Sequence, residues 1–231
     1  MFFLLGCIMG GITVYAVTKS DSKSNIVEMK SPDTTLNNYH GIDVSNHQGL
    51  IDWSLVSKDE NIKFVYIKAT EGATHIDKSY ARNIAEARNN GLKVGSYHYL
   101  RNTSNIQAQF ENFSKTAKKE IQDLIPMVDV EEKVSKDSIL LFCNLLEKYY
   151  GKKPAIYGTN KSYNSFCAPY FNDYILMIGR YGENRPIITG QGHYSIWQFS
   201  ERGKIKGINK PVDLDRVHPD FDLVKLYLHE K

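Results

Sequence analysis

Past residue 38 the chain alternates two patterns, and this alternation limits its fold more than any other feature. Apolar, β-branched or aromatic runs (YHGIDVS, KFVYIKAT, LKVGSYHYL, LIPMVDVE, PAIYGT and YILMIGRY) are separated by segments of helical period. The helical segments are DKSYARNIAEARNNG, SNIQAQFENFSKTAKKE and KDSILLFCNLLEKYYG. Strands that take turns with helices make an α/β fold with a parallel sheet, because each helix carries the chain back to the start of the next strand. Gly91 after Asn90 and Gly151 after Tyr150 have the chemistry of helix stops. After residue 180 the helices cease, and YSIWQFSERGKIKGI and VDLDRV read as strands joined by turns, so the sheet or barrel finishes in β-structure. The sequence shows no internal repeat and no second domain of convincing size.

Residues 1–17, MFFLLGCIMGGITVYAV, carry no charge and are followed by Lys19 and Lys23. They read as an export signal or a membrane anchor at the lower length limit for a span, which places the protein outside the cytoplasm. Residues 18–38 are polar and without period, a flexible linker to a globular domain at 39–231. With 231 residues, 42% of them hydrophobic, the chain has ample material for one large core. Its net charge of +3 is spread along the sequence, which argues against a nucleic-acid partner. Three cysteines make no disulfide framework: Cys143, set among leucines, reads as a buried inert thiol, and Cys167 is either free or paired. No metal-ligand spacing and no glycine-rich phosphate loop occurs, so neither a metal nor another cofactor is expected.

The stretch PMVDVEEK, residues 126–133, sets three carboxylates at the end of an apolar run. A strand rises about 3.3 Å per residue and alternates faces, so Asp129 and Glu131 share a face roughly 6 to 7 Å apart while Glu132 points away. Burying such a pair costs free energy unless something uses it. Other strands end comparably: Asp43 in GIDVS, Glu71 in IKATEG, Tyr97 and His98 in GSYHY, Trp197 and Gln198 in IWQF, Asp213 and Asp215 in VDLD. In α/β barrels these strand ends surround one mouth. Clustered carboxylates flanked by aromatic rings suit glycoside hydrolysis, in which one carboxyl protonates the leaving oxygen and others stabilise a cationic centre.

From about residue 40 to 220 the chain resembles the family-25 glycoside hydrolases, lysozymes that act as N-acetylmuramidases. GIDVSNHQG, Asp52-Trp53, IKATEG, GSYHY, VDVE, AIYGT, the Trp-Gln of IWQF and VDLD occur in the family's order. The resemblance implies an irregular TIM-like barrel of about five βα units followed mostly by β-strands. It also implies hydrolysis of the β-1,4 bond between N-acetylmuramic acid and N-acetylglucosamine in peptidoglycan glycan strands; a monomer is expected, although the sequence leaves the oligomeric state open. By matching position Glu131 is the general acid, and Asp129 orients the 2-acetamido group or steadies the developing cation. Asp43 and Asp213 complete the acidic ring, with Tyr97, Trp197, Gln198 and Glu71 as substrate contacts. Met177 stands where the family often carries Trp. Glu71 with Lys68 also reads as a structural ion pair, Asp43 as a turn cap and His98 as a packed histidine. A sugar-binding barrel without turnover and a hexosaminidase acting on chitin-like polymers are the competing functions.

Overall fold

The computed structural model describes residues 38–229. Nine strands occur there: β1 (Gly41–Val44), β2 (Phe64–Glu71), β3 (His75–Ile76), β4 (Val94–Tyr99), β5 (Met127–Asp129), β6 (Ala155–Thr159), β7 (Leu176–Gly179), β8 (Ile196–Gly203) and β9 (Val212–Val217). Between them lie α1 (Trp53–Val56), α2 (Tyr80–Asn89), α3 (Ile106–Thr116), α4 (Lys136–Tyr150) and α5 (Asn160–Phe166). A helix follows each of β1, β4, β5 and β6, and α2 follows the β2–β3 hairpin, so there are five βα units before the helices cease. The expected alternation and its loss are both present.

The sheet closes on itself. β1 pairs in parallel with β2, and the parallel ladder continues through β4, β5, β6, β7 and β8. β9 then enters antiparallel between β8 and β1, completing an eight-stranded mixed barrel. β3 lies outside the ring as a short hairpin on β2. Because the seven parallel strands run one way, their C-terminal ends gather at one mouth. β9 runs the other way, so its first residues meet them there.

The helices form where the pattern and the caps agree. In α4 the buried residues Ile139, Phe142, Cys143, Leu146 and Tyr150 make one apolar stripe, Ser135 caps the start by accepting from the Ser138 amide, and Gly151 ends it at φ 85°. α2 buries Tyr80, Asn83, Ile84 and Ala87 at the same spacing. The sequence reading lacked α1 and α5, which have only four and seven residues. Each announces itself through a cap instead, Asp52 accepting from the Ser54 and Leu55 amides and Thr159 from Ser162.

Both described cysteines, Cys143 and Cys167, are free and buried, and burial pushes each thiol up to about 12. No helix among the described residues is long and apolar enough to cross a membrane. The apolar segment 1–17 and nearly all of the 18–38 linker lie outside the described residues.

Candidate active site

β5 is shorter than its apolar run suggests, ending at Asp129, although the Val130 amide still donates to the Tyr157 carbonyl at 2.9 Å. Glu131 therefore stands just past the ladder, exposed at the rim, while Asp129 is 5% exposed. The two-residue spacing nevertheless carries both side chains to one cavity of about 130 Å³. Asp43, Asp213, Tyr97 and Gln198 line the same cavity, joined by Tyr157, Tyr181, Met127 and Met177.

The strand register explains the convergence. Asp43 on β1 is paired with Asp213 on β9, and Gln198 on β8 with Asp215, two residues further along β9. Gln198 is held by three hydrogen bonds: its Nε2 donates to Asp43 Oδ2 at 2.7 Å, and its Oε1 accepts from the Tyr157 and Tyr181 hydroxyls at 2.8 and 3.1 Å. Asp43 is thus a partner of Gln198, and the turn after β1 is capped by Ser45, in a reciprocal box with Gln48. Gly179 makes room for this arrangement, since a Cβ there would come within 2.6 Å of the Tyr157 hydroxyl and 3.0 Å of Gln198 Oε1.

Burial and mutual repulsion push the acids up together. Asp43 is raised well above the usual carboxylate range by burial and then by the charge of Asp213. Its bond from Gln198 opposes this. Asp213 is raised to about 6, by burial and by Glu201 across the strand. Asp129 is raised strongly by burial and by Glu131, and its Oδ1 is buried with no hydrogen-bond partner. Glu131 is raised by desolvation against the cavity walls, and Lys68 pulls it back. Asp215 lies on the same face of β9 as Asp213 but below the cavity. It is wholly buried, neither of its oxygens has a hydrogen-bond partner, and it too is raised by burial.

Two expected contacts lie elsewhere. Trp197 precedes Gln198 on β8, and strand alternation turns it to the outer wall. There it is 2% exposed and its Nε1 donates to the Arg180 carbonyl at 2.7 Å. Glu71 sits beside the cavity rather than in its wall, 2.7 Å from Lys68 and 3.8 Å from Arg101, which also reaches Glu132 at 3.3 Å. Burial would raise Glu71, but the bond from Lys68 and the two cationic charges outweigh it and hold the carboxyl low. His98 is packed as expected, against Thr70 and Gln109, and burial lowers it to about 4. Tyr157 and Tyr181 are cavity residues that sequence reasoning missed. Tyr157 lies in the middle of the expected strand PAIYGT, and Tyr181 closes the expected run YILMIGRY two residues past the end of β7.

The sequence profile of the glycosyl hydrolases family 25 matches residues 42–208. Among similar proteins, "Uncharacterized protein YegX" of Escherichia coli K12 is 38% identical over 186 residues, 76% of this chain and 68% of that protein. "Autolytic lysozyme" of Clostridium acetobutylicum is 33% identical over 76% of this chain and 54% of its own length. Among solved structures, a bacterial lysozyme from Streptomyces coelicolor superimposes with a TM-score of 0.72 at 27% identity, covering 84% of this chain and 96% of that one.

Proposed function

The chain belongs to the family 25 glycosyl hydrolases, and from that membership we propose how its acid cavity works as a lysozyme. The enzyme hydrolyses the β-1,4 bond between N-acetylmuramic acid and N-acetylglucosamine in peptidoglycan. Glu131 donates a proton to the glycosidic oxygen. It is open to the rim where a polymer can arrive, and its raised carboxyl retains a proton at higher pH than an ordinary glutamate. Asp129, directly behind it, orients the substrate's 2-acetamido group so that the acetamido oxygen closes on the anomeric carbon as the bond to the leaving sugar breaks. Glu131, now a carboxylate, then takes the proton from the water that opens the resulting ring. Asp43 and Asp213, with Gln198 and Tyr157, hold the sugar at the cleavage point, and Tyr97 supplies an aromatic wall.

The observation that carries this reading is the pairing of an exposed, raised Glu131 with a buried Asp129 whose Oδ1 has no partner in the protein. Such an atom suits a substrate N–H. Peptidoglycan lies outside the cytoplasm, and the apolar residues 1–17 serve as the export signal or anchor that delivers a monomeric enzyme to it. The test is product release from purified peptidoglycan, with reducing ends identified by mass spectrometry. Reducing N-acetylmuramic acid is expected from the full chain, with at least a ~100-fold loss in Glu131→Gln. Reducing N-acetylglucosamine would make the enzyme a glucosaminidase, binding without turnover would make it a sugar-binding barrel, and a glycosyl ester trapped on an aspartate would exclude the acetamido route.

A further inference from the structure

Glu131 stands just past the ladder of β5, so its place depends on what holds the backbone on either side of it. On the side toward β5, Val130 is tied to the barrel: its amide donates to the Tyr157 carbonyl at 2.9 Å, and its carbonyl accepts from the Ser162 hydroxyl, also at 2.9 Å. On the other side the chain is held by residues 100–105, the segment that joins β4 to α3. Glu132 Oε1 accepts from the Asn102 amide, Glu132 Oε2 lies 3.3 Å from Arg101 Nη1, and the Lys133 carbonyl accepts from Asn102 Nδ2 at 3.2 Å. That segment is itself fixed from within the protein. Gln109 of α3 is fully buried; its Oε1 accepts from the Arg101 amide at 2.9 Å, and its Nε2 donates to the Arg101 and Ser104 carbonyls at 2.8 and 2.9 Å. Gln109 Oε1 also lies 3.1 Å from Nε2 of the buried His98, whose Nδ1 is 2.7 Å from the Thr70 hydroxyl. Arg101 and Asn102 therefore reach Glu132 from a platform locked by buried hydrogen bonds.

Glu132 does not line the acid cavity, and its pair with Arg101 is part-exposed, with 23% and 37% of the two side chains accessible. Ion pairs of that kind contribute little to stability. Their effect here falls on position instead, and a displacement of about 1 Å at a catalytic group costs on the order of 100-fold in rate. We infer that Glu132 is a positioning residue for the general acid: gripped by Asn102 and Arg101, it fixes the backbone from which Glu131 reaches the glycosidic oxygen. The inference rests on the reading of Glu131 as that acid.

Turnover of soluble peptidoglycan fragments by the full chain is compared with Glu132→Ala, Glu132→Gln, Glu131→Gln and the double variant Glu131→Gln with Glu132→Ala. Glu132→Ala is expected to lower kcat about 10-fold while KM stays within about twofold of wild type, since Glu132 lies outside the sugar-binding cavity. Glu132→Gln keeps an oxygen for the Asn102 amide and is expected to recover most of that loss. In the double variant Glu132→Ala is expected to remove little beyond what Glu131→Gln has already removed, because it acts through the same carboxyl. The proposal is overturned if Glu132→Ala keeps its kcat, if kcat falls only in step with the folded fraction read by circular dichroism, or if KM carries the loss. It is also overturned if Glu132→Gln recovers nothing, or if the losses of the two substitutions multiply. An active Glu131→Gln would overturn the catalytic reading itself, and this inference with it.

Discussion

At the scale of single residues, Lys68 balances two demands. It pairs with Glu71 at 2.7 Å, and its charge also lowers both Glu131 and Asp129. Lys68→Met removes that charge and leaves Glu71 less compensated, so both acids rise. The high-pH limb of kcat/KM, set by loss of the proton from Glu131, is expected to move upward by about half a pH unit or more, read from a pH–rate profile. An unmoved limb would mean that another group sets it. Gly179 makes a second residue-scale prediction. Its Cβ would sit within 2.6 Å of the Tyr157 hydroxyl, so Gly179→Ala displaces Tyr157 or Gln198 and loosens Asp43. Activity is expected to fall roughly 10-fold or more while the barrel stays folded, as checked by circular dichroism alongside turnover.

At the scale of elements, β8 shows what alternation decides. Two adjacent residues, Trp197 and Gln198, were both expected at the groove, yet neighbours on a strand face opposite ways and only Gln198 reaches it. The motif located the strand, although Trp197 and Gln198 are its second and third residues rather than its end, and which residue points inward depended on the register with β9 and β7. Helix ends were more legible, because a cap is a local event. Gly151 sits at φ 85°, where a Cβ is strained, so Gly151→Ala is expected to cost ~1 kcal/mol, measured by urea unfolding with unchanged specific activity. The short α1 and α5 escaped notice because four or seven residues are too few for a period to show, and their caps, Asp52 and Thr159, were the available signal.

At the scale of the whole molecule, the barrel gathers acids that would repel one another, and stability falls with pH as a result. Asp213 titrates near its ordinary 3.8 when unfolded and at about 6 when folded, so the native state binds the proton more tightly between those values. Its contribution is intact below pH 4, and stability is lost as pH rises through about 6. Asp213→Asn removes this cost. The variant is expected to be more stable than wild type by ~2 kcal/mol at pH 7, with the difference shrinking toward zero at pH 4, as read from unfolding midpoints at both values. A pH-independent difference would point to packing instead.

The strand–helix alternation, its loss after residue 180, the two helix stops and the shared face of Asp129 and Glu131 were determined by the sequence alone. All of these depend on local periodicity, on caps, or on the two-residue repeat of a strand. Closure of the sheet by β9, the Gln198–Tyr157–Tyr181 anchorage of Asp43, the outward turn of Trp197 and the burial of Asp215 were decided only by the tertiary structure. Each joins residues far apart in the chain, as Asp43 and Gln198 are, through pairings that form only when the ring closes. A short motif names the groups that can meet, and the closed barrel decides which side chains face one another and at what depth.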